Sequence, residues 1–207
     1  MTQTIQTSSG KTRTFEFEMY SANRGEKNLM RYIKPARVRG QAFLMLNYAD
    51  DIWAYFPRTK RVRKLATHAK KQKVQGSDFT YEDLGSGDTW VEDYETENLG
   101  REKIDGVHCW KVESVAKEKS DVSYSKVVSW VKTDNFYPLK MDYYNEDGDL
   151  FKTLFLKDIK IIDDYPTAME MVMKNLEDNS ETKMAVKSVT YDWKPSKDFF
   201  SERNLKK

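Results

Sequence analysis

The chain has 207 residues, with 35 Lys and Arg against 33 Asp and Glu, and a formal net charge of +2. This balance gives no general attraction to nucleic acid or to an anionic membrane, and no apolar run approaches the roughly 18 residues of a membrane-spanning helix. The 12 Tyr, 10 Phe and 5 Trp are spread along the chain, which argues against disorder and predicts one domain, residues 1–207, with a sizeable core.

Alternating runs along the chain predict β-strands. Phe15, Phe17 and Met19 alternate with more polar residues, and this period of two is typical of a strand with one apolar face. The run Ile52–Phe56 is apolar on both sides, which predicts a strand that is covered on both faces. Further β-rich runs lie at 139–144, 169–174 and 182–193.

Turn signals separate these runs at short intervals. The clearest are Ser9-Gly10, Arg24-Gly25, Asp50-Asp51, Asp105-Gly106 and Asp147-Gly148. An Asp-Gly pair between alternating runs is a hairpin signal, because both central residues of a type I′ turn need positive φ. We therefore expect ten or eleven antiparallel strands in a long meander that must curl or close to protect its edges.

One segment, Gly76–Leu84, interrupts the strand pattern. It lacks clean alternation and offers Ser77 and Asp78 as helix N-caps. We expect a short helix or a lid-like loop here, with the stretch up to Gly87 as the most mobile part of the chain.

The residue types needed for catalysis or metal binding are scarce. The histidines His68 and His108 form no HxxxH motif, and there is no CxxC or GxSxG motif. Cys109 follows His108 in a β-like run, and neighbours in a strand point to opposite faces, so His108 is not placed to activate a nucleophilic Cys109. We predict a buried Cys109, no metal, no cofactor and no enzymatic activity.

The charges are arranged in two blocks. Residues 58–73 contain eight basic side chains and no acid, and residues 78–97 contain eight acids and no base. The blocks form either a dipolar rim that orients a charged partner or two solvated stretches that neutralise each other. Binding to nucleic acid is not predicted from one basic block in a chain of this net charge.

The apolar stripes allow two interpretations. Met169, Met171 and Met173 form a flexible surface of the kind that adapts to irregular apolar ligands, or they are simply part of a packed core. A large curved sheet with few helices has a concave face that few elements can fill, and that face either collapses or encloses a ligand.

Several segments in order resemble the LolA-like outer-membrane lipoprotein-sorting proteins. The resemblance covers about residues 12–205 and includes the family's W-x-Y-x-P, KRVRK and GSDFSYEDL signatures. The matching segments are Trp53-Ala-Tyr-Phe-Pro57, Lys60-Arg-Val-Arg-Lys-Leu65, Gly76-Ser-Asp-Phe-Thr-Tyr-Glu-Asp-Leu84, Lys140-Met-Asp-Tyr-Tyr-Asn-Glu-Asp-Gly148 with Lys152, Met171-Val-Met-Lys-Asn175 with Thr182, and Phe199 to Leu205.

This resemblance implies a single curved antiparallel sheet that forms an unclosed β-barrel, with short helices covering its concave face. It implies a monomeric, non-enzymatic periplasmic carrier, from which a signal peptide has been removed, that holds lipoprotein acyl chains or phospholipid in a hydrophobic cavity. Its partners would be an inner-membrane transporter and an outer-membrane acceptor. The alternative is an accessory subunit that docks on an RND-type exporter, with its cavity filled by its own side chains.

The expected site residues fall into three groups. The apolar stripes predict a cavity lined by Phe15, Phe17, Met19, Trp53, Tyr55, Met141, Tyr143, Met169, Met171 and Met173. The GSDFTYEDL segment predicts a lid that plugs the empty cavity with Phe79, Tyr81 and Leu84. The basic strand after Pro57 predicts a partner-docking surface at Arg61, Arg63 and Lys64.

Overall fold

The computed structural model is built almost entirely from β-strands. It describes residues 1–85 and 87–207, with the side chains of Thr67 and Asp88 left aside; Ser86, within the predicted mobile stretch, lies outside the described residues. The strands are β1 (Thr2–Gln6), β2 (Thr12–Ala22), β3 (Lys27–Lys34), β4 (Ala42–Leu46), β5 (Asp51–Phe56), β6 (Arg61–Lys64), β7 (Tyr94–Ile104), β8 (Val107–Ala116), β9 (Lys126–Lys132), β10 (Pro138–Tyr144), β11 (Leu150–Ile162), β12 (Tyr165–Asn175) and β13 (Ser180–Ala185).

Helical structure is short in the described residues. The α-helices are α1 (Tyr81–Gly85), α2 (Trp90–Asp93) and α3 (Glu202–Leu205), and single 3-10 turns occupy Asn23–Gly25, Thr67–Lys71, Val74–Gly76 and Gly87–Thr89. The predicted short helix after Gly76 is therefore confirmed as α1, which begins at Tyr81.

All strands belong to one antiparallel sheet. Within residues 1–85 and 87–207 its order is β6-β5-β4-β3-β2-β1-β13-β12-β11-β10-β9-β8-β7. The chain is thus a meander that starts in the middle of the sheet, runs to the β6 edge, crosses over and returns from the β7 edge. The two edge strands do not pair with each other among the described residues, so the predicted unclosed antiparallel barrel is confirmed.

The sheet is strongly curved. Met19 on β2 and Tyr143 on β10 line one cavity, although these strands are five places apart in the sheet. Five strand spacings would separate them by roughly 24 Å in a flat sheet. The sheet therefore wraps around an inner face, and residues 65–85 and 87–93 cross the open side between β6 and β7.

The inner face carries the main core. Side chains from both halves of the sheet pack there against residues of the 65–93 segment. The buried members include Ile5, Phe15, Phe17, Met30, Tyr32, Phe43, Met45, Ile52, Val74, Phe79, Tyr81, Tyr94, Tyr124, Val127, Tyr143, Leu154, Met173 and Met184.

The outer face of the first half of the sheet is covered by the C-terminal segment. Leu205 is fully buried against Leu29 and Leu44, with Trp53 and Phe199 packed beside them. Strand β5 is thus covered on both faces, as its sequence predicts: Ile52 and Ala54 lie in the inner cluster, and Trp53 and Tyr55 in the outer one.

Three strand predictions are wrong in detail. The sheet has 13 strands in the described residues, where ten or eleven were expected. The alternation of Leu139, Met141 and Tyr143 with Lys140, Asp142 and Tyr144 predicts one face for the three apolar residues, but a register shift between Pro138 and Lys140 places Leu139 with Cys109 in a second outer cluster. The predicted run 182–193 ends as a strand at Ala185, and the chain then leaves the ladder to cross the outer face. The burial of Cys109 is confirmed.

Candidate functional site

Part of the segment that crosses the open side of the sheet is buried in the barrel. Its residues 72–85, here called the plug segment, form a tight turn followed by α1. Val74 N donates to Phe79 O at 2.9 Å, and Tyr81 N donates to Gln72 O at 3.2 Å. The turn thereby satisfies its own backbone groups and can be buried against the apolar inner face.

The start of α1 is fixed by a reciprocal cap. Asp83 N donates to Thr80 Oγ1 at 3.1 Å, and Thr80 N donates to Asp83 Oδ2 at 2.7 Å. This is the geometry of a capping box, which satisfies two otherwise unpaired donors at a helix start. The sequence TYED therefore starts a helix at this point without help from neighbouring elements.

The plug segment is anchored to the sheet by a buried carboxylate. Asp78 accepts hydrogen bonds from Ser180 Oγ at 2.6 Å and from Thr182 Oγ1 at 2.7 Å, and Lys73 Nζ lies 3.7 Å away. Asp78 is 1% exposed. A buried charge is tolerated when its oxygens are hydrogen-bonded, and Asp78 meets this condition by joining the plug segment to β13.

A second buried ion pair joins α1 to β11. Lys152 Nζ lies 3.6 Å from Asp83 Oδ2 and donates to Tyr124 Oη at 3.3 Å, while Tyr124 Oη donates to Asp83 Oδ1 at 2.5 Å. The side chains of Lys152 and Asp83 are 3% and 5% exposed. The three groups form a closed polar network inside the barrel.

Glu82, next to Asp83, is tied to the loop between β8 and β9. Its carboxylate accepts from Ser123 N at 3.1 Å and from Ser123 Oγ. Burial raises the pKa of Glu82 above its ordinary value, and the two Ser123 donors oppose that rise only in part.

A cavity of about 520 Å³ remains between the plug segment and the sheet. It is called the inner cavity below, and its size lies in the usual range for ligand pockets, roughly 300–1,000 Å³. Its walls are mainly apolar and aromatic. The lining residues are Met19, Ser21, Arg24, Gly25, Asn28, Glu82, Asp83, Leu84, Gly87, Thr89, Trp90, Asp93, Tyr94, Val122, Tyr124, Met141, Tyr143 and Leu154.

One rim of the inner cavity is a backbone-to-backbone contact. A Cβ added to Gly25 would lie 2.7 Å from Gly87 Cα, and one added to Gly87 would lie 2.4 Å from Arg24 O. Both glycines also have positive φ, at +91° and +51°. Only glycine allows this approach, so the turn after β2 and the turn before α2 meet directly at the rim.

The predicted cavity residues divide into four groups. Met19, Met141 and Tyr143 line the inner cavity. Phe15, Phe17, Met171 and Met173 lie on the inner face but belong to the packed cluster. Met169 is half-buried and, by alternation, lies on the same face of β12 as Met171 and Met173.

Trp53 and Tyr55 do not face the interior. Both pack on the outer face against the C-terminal segment, so they are removed from the candidate cavity set. The sequence placed them on one face of β5 correctly, but β5 is apolar on both faces, and the pattern alone does not distinguish the inner from the outer side.

The three predicted lid residues point inward. Phe79 and Tyr81 are 3% and 7% exposed in the core, and the Tyr81 ring packs against Phe43 with centroids 5.3 Å apart. Leu84 is half-buried and lines the inner cavity. Phe79 and Tyr81 therefore act as core residues in this conformation, and Leu84 is the lid residue in contact with the inner cavity.

The predicted docking residues lie on the exposed edge strand β6 but not on one face. Lys64 pairs in register with Trp53, lies on the outer side, and bonds Asp51 at 2.5 Å. Arg61 and Arg63 alternate with it and project on the inner side of the edge, where both are exposed. The candidate docking surface is therefore reduced to Arg61 and Arg63.

The basic residues of 58–73 form most of their ion pairs with acids outside the acidic block, residues 78–97. Lys70 Nζ lies 2.8 Å from Asp50 and 3.3 Å from Asp121, and Lys71 lies 2.8 Å from Asp121. These pairs join the β4–β5 turn to the β8–β9 loop across the open side of the sheet. Among the described side chains, an ion pair between Lys73 and Asp78 joins the two blocks.

Sequence reasoning missed several lining residues. Leu154, Tyr124, Trp90 and Tyr94 line the inner cavity but were not proposed. Leu154 pairs in register with Met141, so the β10–β11 hairpin signal could have indicated it. Tyr124 lies in a polar loop with no periodic signal.

The arrangement defines a half-barrel with a covered apolar cavity. The same fold is found in a domain described as an outer-membrane lipoprotein-sorting protein from Vibrio parahaemolyticus, with a TM-score of 0.88 and 29% identity over 100% of this chain and 89% of that one. A DUF1329 family protein from Desulfovibrio piger gives a TM-score of 0.88 and 28% identity, over 99% and 88%. A LolA superfamily protein from Nitrosomonas europaea, at 22% identity, shares the fold with a TM-score of 0.75 over 98% and 88%.

The resemblance to LolA-like outer-membrane lipoprotein-sorting proteins is confirmed by these structures. A family model described as "Uncharacterized protein" matches residues 24–207, and the chain belongs to that family. No curated protein sequence matches the chain. Among the described residues, none of the helices has the length and apolar character needed to cross a bilayer.

Proposed function

We propose that this protein is a periplasmic carrier that binds the acyl chains of lipoproteins or other lipids in the inner cavity and moves them toward the outer membrane. The observation that carries the proposal is an apolar cavity of about 520 Å³ beneath a plug segment in a LolA-like half-barrel. The similarity to the lipoprotein-sorting domain of Vibrio parahaemolyticus, at 29% identity, supports it.

The energetics suit a carrier. An acyl chain gains roughly 0.8 kcal/mol for each CH₂ removed from water, so a single long chain supplies ample driving force. The inner cavity is bordered by α1, which buried polar contacts hold in place, and by α2 and the turn at Gly87–Thr89. Because α2 and this turn are short and α2 has no buried residue, they can move to load and unload the ligand at modest cost.

The proposed carrier acts without enzymatic chemistry, as a monomer, between an inner-membrane transporter and an outer-membrane acceptor. Mass spectrometry of an organic extract, made from protein purified without detergent from its native envelope, tests the binding. A near-stoichiometric lipid or acylated peptide is expected. A clean extract, together with no uptake of a fluorescent acyl lipid, would overturn the proposal.

Blocking the inner cavity should weaken ligand uptake. Met141→Trp places a large ring in the cavity wall, and we expect the affinity for a fluorescent acyl lipid to fall at least about tenfold, the effect of losing a few buried CH₂ groups. Leu150→Trp is the matched control, because Leu150 lies on the adjacent strand outside the cavity. Wild-type uptake by Met141→Trp would show that the ligand binds elsewhere.

The basic edge is proposed to meet the acidic surface of a transporter or acceptor. Arg61→Glu with Arg63→Glu should slow transfer of a bound lipid to acceptor membranes or partner protein, with the affinity for acyl lipid unchanged, because charges at a rim act chiefly on association. Lys11→Glu with Lys103→Glu, at two exposed positions elsewhere, carries the same change in net charge. Equal transfer rates for the two double variants would remove Arg61 and Arg63 from the docking surface.

A specific observation favours the accessory-subunit alternative as the second candidate. Phe79, Tyr81 and Val74 of the plug segment occupy much of the inner face, as expected if the protein fills its own cavity and serves to dock on an exporter. The extraction and uptake measurements distinguish the two functions, because the docking subunit would hold no lipid under either condition.

A further inference from the structure

Tyr143 lies in the wall of the inner cavity and carries a hydroxyl group. It lies on the inner side of β10, is 6% exposed, and its ring lies 4.6 Å from that of Tyr124. Its hydroxyl donates to Met141 Sδ at 3.6 Å, and no other hydrogen bond of this hydroxyl is found among the described residues. A thioether sulfur is a weak acceptor, so this donor is poorly satisfied.

The other two tyrosines of the cavity wall, Tyr124 and Tyr94, have better hydrogen-bond acceptors. The Tyr124 hydroxyl donates to Asp83 Oδ1 at 2.5 Å, and the Tyr94 hydroxyl donates to Tyr124 O at 3.3 Å. Both have oxygen acceptors supplied by the protein. Since an unsatisfied buried donor is costly, Tyr143 is the tyrosine of the cavity wall for which a ligand oxygen would bring the largest gain.

The charges around the inner cavity favour an uncharged ligand oxygen over a charged one. Three acidic residues line it, Glu82, Asp83 and Asp93, with one basic residue, Arg24. Lys152, which pairs with Asp83, does not line it. A ligand carboxylate would enter beside these acids, whereas an uncharged carbonyl would not be repelled.

Tyr143 also keeps its proton. Burial, helped by the nearby Asp83 and Tyr94, raises the pKa of Tyr143 well above its ordinary value. The hydroxyl is therefore a donor throughout the neutral range, which matches an acceptor such as an ester or amide carbonyl.

We propose that Tyr143 is a specificity-determining residue of the inner cavity, which donates a hydrogen bond to the neutral carbonyl of an esterified or amide-linked acyl chain. The cavity then prefers such chains over free fatty acids of the same length. This inference rests on the proposed carrier function and names its ligand class.

The test compares palmitic acid with methyl palmitate, which differ at the head and share one chain. Binding of each is measured by displacement of a fluorescent acyl lipid at pH 7, for the wild type and for Tyr143→Phe. We expect the wild type to prefer the ester by about tenfold. Tyr143→Phe should weaken ester binding about fivefold, the size of one hydrogen bond, and leave binding of the acid nearly unchanged.

Tyr32→Phe is the matched control. Tyr32 is a buried tyrosine on the inner face, 1% exposed. Its hydroxyl has no hydrogen-bond partner among the described residues, and it does not line the inner cavity. This variant removes a hydroxyl from the same core, and ester binding should equal that of the wild type.

The outcomes separate this inference from the carrier function. If the wild type binds neither palmitate derivative, the carrier function fails. If the wild type binds both, the carrier function stands. The role of Tyr143 is then overturned if Tyr143→Phe retains the wild-type affinity for the ester, or if Tyr32→Phe loses as much ester affinity as Tyr143→Phe does. Thermal unfolding of each variant checks that the comparison is made on folded protein.

Discussion

Lys152→Met should lower the free energy of unfolding by about 3–5 kcal/mol, the usual cost of removing one member of a buried ion pair. The Lys152 ammonium faces Asp83 Oδ2 at 3.6 Å and donates to Tyr124 at 3.3 Å. Without it, the Asp83 carboxylate stays buried and loses the positive charge that faces it. Urea unfolding followed by tryptophan fluorescence measures the loss.

Two further variants serve as controls for this measurement. Lys126→Met removes a lysine that lies 3.4 Å from Glu113, in an ion pair whose two side chains are each about one-third exposed. This variant should lower the free energy of unfolding by at most about 1 kcal/mol. Asp83→Asn combined with Lys152→Met removes both charges and should recover part of the loss. Equal stabilities for the two single lysine variants would contradict a structural role for the buried pair.

The segments that carry the family resemblance turn out to be contacts between elements. Asp83 of the GSDFTYEDL box meets Lys152 of the β10–β11 hairpin, and Asp78 of the same box meets Thr182 of β13. On the outer face, Trp53 of the W-x-Y-x-P segment packs in one cluster with Leu205 of the closing segment. These motifs therefore define how the half-barrel holds its plug segment and its C-terminal cover.

The strands were predictable because their signals are local. Alternation at Phe15, Phe17 and Met19 and the Asp105-Gly106 and Asp147-Gly148 turns depend on a few neighbouring residues, and each lies where the sequence predicts. In antiparallel meanders such turns also determine which strands pair.

The candidate site was less predictable because it depends on long-range geometry. Trp53 and Ile52 are both apolar, and only the curvature of the whole sheet decides which of them faces inward. Leu139 lies on the opposite side from its predicted face because of one register shift, which no local pattern indicates. Tyr124 reaches the inner cavity from the loop between β8 and β9, where side-chain direction has no sequence period, and Leu84 reaches it from α1, which is too short to show a helical period.

Phe79→Ala should destabilise the protein by about 3–5 kcal/mol, the usual cost of truncating a buried phenylalanine, because Phe79 is 3% exposed within the inner core. Leu84→Ala should cost only about 1–2 kcal/mol, since Leu84 is half-buried. The same Leu84→Ala change enlarges the inner cavity and should shift the preferred acyl chain to a greater length. Thermal unfolding and displacement by fatty-acid methyl esters of increasing length measure the two effects. The opposite result would be a Phe79→Ala variant that keeps the wild-type melting temperature but takes up ligand differently. Phe79 would then be a mobile lid residue, and the plug segment would open far more readily than its buried contacts with β13 and β11 imply.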